Sequence, residues 1–133
     1  MRSAIYTVNT TAQAVAVGDD INLGSISRKF GCGMELTTDG IVTKGSGYYD
    51  VSADFAVLGT TTAGGTAVIQ LQKNGIDVPG AVAYADATTG EISTVGIHAL
   101  VRELCYEPTA TISFVIKTTG ATINNASVVV EKI

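Results

Sequence analysis

The residues best suited to chemistry are few and stand far apart in the sequence. His98 is the single histidine, and Cys32 and Cys105 are the two cysteines. One histidine excludes a multi-histidine site within a chain, and two isolated thiols fall short of the four ligands that structural zinc usually takes. We therefore predict no metal and no other cofactor. We expect both thiols to be free, buried and reduced, with a disulfide between them as the less favoured alternative.

The carboxylates also lack the spacing that acid–base catalysis requires. Asp50 and Asp54 fall on the same side of one predicted strand, four positions and about 13 Å apart, which is too far for a shared acid–base role. Asp19 and Asp20 lack the further spaced oxygen ligands of a calcium loop, so a turn before a strand explains them. Because no nucleophile, base and orienting group can be assigned, we predict that the protein is not an enzyme.

Two polar loops, at 59–65 and 86–90, are the best candidates for recognition. Loops on a rigid sandwich often carry binding residues, although plain connection between strands is the alternative. The candidate residues in these loops are Thr60, Thr61, Thr62, Asp86, Thr88 and Thr89.

The elements that would position these residues are strands. Residues 47–58 alternate strictly, and one face of this strand carries Tyr49, Val51, Ala53, Phe55 and Val57. Such alternation indicates a long strand with one buried face. Further strands are predicted at 66–73, 76–85, 91–103, 109–118 and 126–133, and shorter ones at 5–8, 12–17, 21–23, 34–36 and 41–43.

Turn residues fix how two of these strands connect. Asn74 and Gly75 separate the strands at 66–73 and 76–85, and Asn-Gly is the strongest short hairpin signal. The Pro79-Gly80 pair interrupts the return strand, which predicts a bulge or an edge position.

Length and patterning together predict one all-β domain. The 133 residues suffice for a single core, and no window has the periodicity of an amphipathic helix. We predict one domain over residues 1–133, with short irregular strands in 1–46 and the main sandwich strands in 47–133. The spacing of strands and turns predicts an antiparallel β-sandwich.

Composition excludes several classes of partner. The net charge is −4 and the basic residues are scattered singly, so nucleic acid is excluded as a ligand. No run of about 18 apolar residues predicts a membrane span, and the first residues lack the apolar core of a signal peptide. We therefore expect synthesis in a host cytoplasm. Charged residues make up only 15%, against about 25% in ordinary soluble domains, which indicates a surface covered by copies of the chain or by a partner.

The final strand points to a subunit interface. Val128, Val129 and Val130 are consecutive, and consecutive apolar residues imply burial on both sides of a strand. Parity places Val128 and Val130 on one face and Val129 on the other, without assigning either face to the core. The candidate interface residues are Val128, Val129, Val130, Tyr48, His98 and Leu100.

His98 follows Ile97 and must lie on the opposite face of its strand. It is interpreted as a surface or interface histidine. The alternative is a ring of three imidazoles around a trimer axis, which would bind an anion or respond to pH.

Two motifs stand in order in the middle of the chain: residues 47–52 read Gly-Tyr-Tyr-Asp-Val-Ser, and residues 71–75 read Leu-Gln-Lys-Asn-Gly. They resemble the G-x-Y-x-V/F-S strand and the L-x-K-N-G hairpin of the superfamily of tumour necrosis factor and the complement globular head. The opening at 14–21 and the ending at 122–133 are similar to bacterial and phage members. Residues 102–108 depart from the family, which often has L-x-x-G-D there.

This resemblance implies a jelly roll of about ten strands that forms a tight homotrimer. Microbial members occur as surface modules and as phage virion components, and the chain lacks the collagen-like stalk of some members. The function we predict is that of a trimeric structural component of a phage or prophage virion, in a head fibre, decoration, baseplate or tail tip. Its partners would be its own copies, other virion proteins or a host-surface glycan. A carbohydrate- or receptor-binding adhesion module on a cell surface is the alternative.

Overall fold

Two antiparallel sheets build the fold, as seen in a computed structural model that describes residues 2–133. This part of the chain contains eleven strands and no helix. The strands are β1 (Ala4–Asn9), β2 (Gln13–Val15), β3 (Ser25–Phe30), β4 (Met34–Thr37), β5 (Gly40–Thr43), β6 (Gly47–Leu58), β7 (Thr66–Lys73), β8 (Ile76–Asp86), β9 (Ile92–Glu103), β10 (Ala110–Lys117) and β11 (Ala121–Lys132).

The order of the strands defines a front sheet and a back sheet. The front sheet runs β3-β1-β11-β6-β9, with β2 also paired to β11, and the back sheet runs β4-β5-β10-β7-β8. The chain crosses between the sheets after β3, β5, β6, β8, β9 and β10, which is the winding of a jelly roll. The predicted antiparallel jelly-roll β-sandwich is confirmed, with eleven strands where about ten were expected.

The core lies between the two sheets and follows the predicted alternation. The inward residues of β6 are fully buried, as are Ile112 and Phe114 of β10. Phe55 from the front sheet meets Phe114 from the back sheet edge to face, with ring centroids 5.2 Å apart. Aromatic pairs in this geometry stabilise by about 0.5–1.5 kcal/mol beyond the area they bury. This pair therefore ties the two sheets together.

The hairpin between β7 and β8 forms where the Asn-Gly signal predicts it. Asn74 has φ 53° and Gly75 has φ 80°, so both adopt the left-handed conformation that a type I′ turn requires. The strand β8 is also an edge strand of the back sheet, as Pro79-Gly80 indicated.

The predicted bulge is present in β8 and includes Pro79-Gly80. The register between β7 and β8 shifts between Gln70 and Gln72. The buried Gln70 amide donates hydrogen bonds to the carbonyls of Leu71, Val78 and Ala81. The side-chain amide has two N–H groups, so one of them is shared between two of these three backbone carbonyls.

The strands differ from the sequence prediction in three respects: one boundary, one strand that was missed and one predicted strand that does not form. The last strand begins at Ala121 rather than at residue 126, and β3 was not predicted. The segment 21–23 is not a strand, although Ile21 and Leu23 are buried as their apolar character suggested. This segment follows a stretch that runs beside β10, where the Ile21 amide donates to the Phe114 carbonyl. The apolar pattern at 21–23 therefore indicated burial correctly but did not indicate a strand.

The turn at 102–108, where the sequence departs from the resembled family, is held by Glu107. Its Oε1 accepts hydrogen bonds from the Lys73 ammonium at 2.8 Å and from the Leu104 amide at 2.7 Å. Its Oε2 accepts a hydrogen bond from the Asn74 side-chain amide. The hydrogen bond from Lys73, and next that from Leu104, lowers the pKa of Glu107. This carboxylate fastens the turn to the β7–β8 hairpin.

We expect Glu107→Gln to lower the melting temperature at neutral pH. Because the folded-state pKa of Glu107 is lowered, its stabilisation is complete above the unfolded value of about 4.3 and is lost as pH falls through the folded value. The difference between wild type and variant should therefore shrink in acid. Thermal unfolding followed by circular dichroism across this range tests it. Glu35→Gln is the matched control, since the Glu35–Lys44 pair is half exposed and should contribute little.

We expect Phe114→Ala to reduce the free energy of unfolding by about 3–5 kcal/mol, because it removes a buried ring and leaves a cavity between the sheets. Urea denaturation measures the change. Tyr84→Ala serves as the control, because Tyr84 is exposed on the back sheet and should change stability by no more than about 0.5 kcal/mol. Equal effects from the two substitutions would contradict the assigned core.

Candidate functional site

The outer surface of the front sheet gathers most of the candidate interface residues. Residues that alternate with the core positions on β1, β3, β6, β9 and β11 point away from the back sheet. This front face comprises Tyr6, Arg28, Phe30, Tyr48, Asp50, Ser52, Asp54, His98, Leu100, Arg102, Val129 and Glu131.

The valine run is divided between the core and the front face. Val128 and Val130 are fully buried between the sheets, whereas Val129 is 39% exposed on the front face. Val128 and Val130 are therefore core residues and leave the set of interface candidates. Parity separated the two faces correctly, but only the fold decides which of them meets the back sheet.

An apolar hollow lies at the β1–β3 end of the front face. It has a volume of about 190 Å³, and Tyr6, Phe30 and Val129 line it together with Ala4. Tyr6 and Phe30 were missed in the sequence, since β3 lacks an inward-facing apolar row and is exposed along its whole length. The glycines at 24 and 31 bracket this six-residue strand and were the available signal.

Exposed side chains project from the opposite end of the front face, on β6 and β9. Leu100 is 56% exposed, and Tyr48 lies close by on the neighbouring strand. The Arg102 guanidinium stacks over the Tyr48 ring at 5.7 Å from its centroid. The front face thus has one hollow at the β1–β3 end, and at the β9 end Leu100 and Arg102 line a second hollow of about 320 Å³ that extends to β8.

His98 and Asp50 form a hydrogen-bonded pair on the front face. The distance from His98 Nε2 to Asp50 Oδ1 is 2.5 Å, and the His98 side chain is 71% exposed. Ser52 lies directly across from His98 in the register. Within residues 2–133 no hydrogen bond joins Ser52 to this pair, and the three side chains stand on an open sheet surface. The prediction that the protein is not an enzyme stays a prediction.

The two candidate recognition loops form one platform at an end of the sandwich. The Thr61 amide donates to the Ala87 carbonyl at 2.9 Å, and the Thr89 amide donates to the Thr61 carbonyl at 3.2 Å. A side chain at Gly59 would place its Cβ 2.1 Å from the Thr88 carbonyl oxygen, so only glycine permits this approach. The loops therefore position each other.

Residues of the platform are unequally available for binding. The Asp86 carboxylate accepts the Thr88 amide within the loop, and this hydrogen bond lowers the pKa of Asp86. Thr60 and Thr61 instead line an open hollow of about 500 Å³, which Asp19 and Thr122 complete. Thr60 and Thr61 bring hydroxyl groups to the lining of this hollow, and a hydroxyl can both donate and accept a hydrogen bond.

Asp20 lies outside any catalytic arrangement. Burial, followed by repulsion from Asp39 and Asp19, raises its pKa.

In the part of the chain that the structure describes, no three His, Cys, Asp or Glu side chains come together as a metal would require. Residues 2–133 also contain no helix of the length and apolarity needed to cross a membrane.

Both cysteines are free and exposed, so the expectation of buried thiols was wrong. Cys32 lies in the turn between β3 and β4, and Cys105 lies in the turn after β9. Turns leave side chains in solvent, which overrides the preference of free cysteine for the core.

The topology and strand order define the class of the fold: it is the jelly roll of tumour necrosis factor and the complement globular head. Murine APRIL superimposes over all of both chains with a TM-score of 0.70 at 13% identity. The globular domain of the zebrafish complement 1qA protein gives a TM-score of 0.71 at 8% identity, over 96% of this chain and 94% of its own. The resemblance drawn from the sequence motifs is confirmed at the level of the fold.

A virion protein has the same fold. The vertex protein P5 of PRD1 matches with a TM-score of 0.68 at 17% identity, over 98% of this chain and 96% of its own. No protein-family model matches the sequence. No curated protein matches it either.

We expect both thiols to react with Ellman's reagent in the native protein, because both are exposed. Two thiols per chain should titrate without denaturant, and Cys32→Ser and Cys105→Ser should each remove one. Thiols that appear only after denaturation would contradict their placement in exposed turns. Absence of any thiol after denaturation would instead overturn the prediction that they are reduced.

Proposed function

We propose that the protein is a non-enzymatic structural component of a phage or prophage virion and that it works as a homotrimer. The front face carries this proposal, because it is an open sheet surface with exposed apolar side chains. Phe30 is 58% exposed and Leu100 is 56% exposed. These exposed apolar side chains lie at both ends of the face, and contact with further copies would remove them from water.

The geometry of the front face favours a ring of copies over a two-fold dimer. The hollow of Tyr6, Phe30 and Val129 lies at one end of the sheet, and Leu100 lies at the other, on the wall of a second hollow of about 320 Å³. Contact between two such different patches is head-to-tail, and it closes into a ring when the rotation between copies permits. A trimer is the ring that the sequence resemblance implies.

Charge supports the same head-to-tail contact. Arg28 stands at the rim of the hollow, while Asp50 and Asp54 lie toward the β9 end of the face. Bringing the hollow of one copy to the β6–β9 end of the next places the guanidinium near the carboxylates. Opposite charges placed in this way fix the register of an interface.

The fold of PRD1 vertex protein P5 supports a virion location, since a chain of the same fold serves there at a vertex. We propose a corresponding role in a head fibre, decoration, baseplate or tail tip. Co-sedimentation of the protein with purified particles tests this assignment. Recovery only from particle-free lysate would count against it.

We expect Val129→Asp and Leu100→Asp to abolish the trimer, because each copy would lose apolar burial and place a carboxylate in a dry contact. Light scattering should give three times the protomer mass for wild type and the 13.6 kDa protomer for the variants at micromolar concentration. Val17→Asp is the matched control, since Val17 is an exposed valine outside the front face. A monomeric wild type would refute the trimer.

Adhesion is the second candidate function, and the platform of the two loops favours it. The hollow beside Thr60 and Thr61 presents hydroxyl groups and the Asp19 carboxylate, which are groups that can hydrogen-bond a sugar. Saturable glycan binding by the isolated protein that Thr61→Val weakens would support an adhesion module. A trimer that binds no glycan and co-sediments with particles would leave the structural role alone.

A further inference from the structure

A small polar hollow lies at the end of the sandwich where β6 begins, opposite the platform of the two loops. It has a volume of about 200 Å³ and is lined by Ser3, Cys32, Gly33, Lys44 and Lys132. These residues come from the start of β1, the end of β11, the turn between β3 and β4, and the residue after β5. A water molecule takes about 30 Å³, so the hollow has room for an ion of several heavy atoms.

Backbone hydrogen bonds hold the walls of this hollow in place. The Lys132 amide donates to the Ser3 carbonyl at 2.9 Å, and the Lys44 amide donates to the Gly33 carbonyl at 2.7 Å. Each lysine is thus fixed at its backbone to another residue of the lining. The two side chains therefore reach the hollow from fixed points of the fold.

Glycines leave space beside the polar groups of the hollow. A Cβ at Gly33 would lie 2.7 Å from Ser3 Oγ, and a Cβ at Gly45 would lie 3.2 Å from Lys132 Nζ. Ser3 is only 2% exposed, yet it belongs to the lining. Because neither glycine carries a side chain, the hydroxyl and the ammonium stay uncovered on these sides.

The two lysines of the hollow are weakly paired at most. Lys44 Nζ lies 3.4 Å from Glu35 Oε1, in a pair whose side chains are 50% and 48% exposed. Such an exposed pair contributes little, so Lys44 can contact another anion. Lys132 Nζ lies over the Tyr49 ring, 5.9 Å from its centroid. In the chain from residue 2 onward, no carboxylate, the C-terminal one included, lies within 4 Å of Lys132 Nζ.

Other charged groups at this end do not neutralise the two lysines. Glu131 precedes Lys132 but faces outward on the front face. The buried Glu103 accepts a hydrogen bond from the Thr43 hydroxyl and is not part of the lining. Arg2 is exposed next to Ser3 in the chain and adds positive charge. The hollow therefore favours an anion.

We infer that this hollow binds a small oxyanion, a phosphate or sulfate group, between the Lys44 and Lys132 ammonium groups, with the Ser3 hydroxyl as a third donor. A lysine ammonium binds such a group as a point charge with three donors, and hydrogen bonds between ionised partners are about twice as strong as neutral ones. All the lining residues belong to one chain, so the site goes beyond the proposed function and does not depend on assembly.

The experiment uses Cys32 as a reporter of occupancy and Cys105 as the internal control. Both thiols are exposed, but only Cys32 lines the hollow. Alkylation by iodoacetamide, an uncharged reagent, is followed for each thiol by peptide mass spectrometry while phosphate replaces chloride at constant ionic strength. Phosphate should slow alkylation of Cys32 saturably and leave Cys105 unchanged, because a bound anion covers the Cys32 thiol and disfavours its thiolate.

Three variants test the donors. Lys44→Gln and Lys132→Gln should each raise the phosphate concentration that gives half-maximal protection by about tenfold, since each removes a charge-assisted hydrogen bond. Lys117→Gln is the matched control, because Lys117 pairs with Asp77 outside the hollow and should keep wild-type protection. Equilibrium dialysis with radiolabelled phosphate gives a readout independent of thiol chemistry, and it should saturate at one ion per chain.

Glycerol phosphate distinguishes the source of the anion. Protection by this monoester as well as by inorganic phosphate assigns the site to a phosphate group carried on a larger molecule, whereas protection by the inorganic ion alone assigns it to the free ion. Glycerol, which lacks the charge, should give no protection in either case.

The outcomes decide the inference without reference to the trimer. Saturable protection of Cys32 alone, weakened in both lysine variants and kept in Lys117→Gln, supports the oxyanion site. Equal slowing of the two thiols, or protection that survives the combined Lys44→Gln and Lys132→Gln substitutions, overturns it. Absence of protection overturns it as well, and dialysis then shows whether phosphate binds elsewhere on the chain.

Discussion

The contact between the two sheets at Phe55 and Phe114 is the constraint on which the molecule depends. It fixes which side of β6 and β10 faces inward, and strict alternation then decides the orientation of every other residue on those strands. The front face consists of the side chains that alternate with the core residues along the front-sheet strands and point away from the core. Its apolar character is therefore a separate property of the sequence and not a by-product of core packing.

Much of the fold follows from local signals in the sequence. Alternation in β6 and the Asn74-Gly75 turn each specify their structure within a few residues, which is why both predictions are confirmed. The sequence prediction missed β3 because all six of its residues are exposed and it pairs only with β1. The segment 21–23 was wrongly predicted to be a strand, because its apolar residues are buried although the segment forms no strand.

The candidate site was predictable only in part, for a related reason. Alternation along each strand placed Tyr48, His98 and Leu100 on an outer face, since each is next in sequence to a core residue. The pairing of His98 with Asp50 and the hollow beside Phe30 depend on the register between strands that are distant in sequence. The pairing register between strands is set by the whole sheet, so it cannot be predicted from a local sequence pattern.

The position of β11 between β1 and β6 has a consequence for biosynthesis. A ribosome makes β11 after the ten other strands. Until β11 is made, the edges of β1 and β6 that pair with it stay unpaired. The front sheet therefore closes late, and pairing between such distant segments makes folding slow. During that interval the nascent chain exposes strand edges to which other chains can pair.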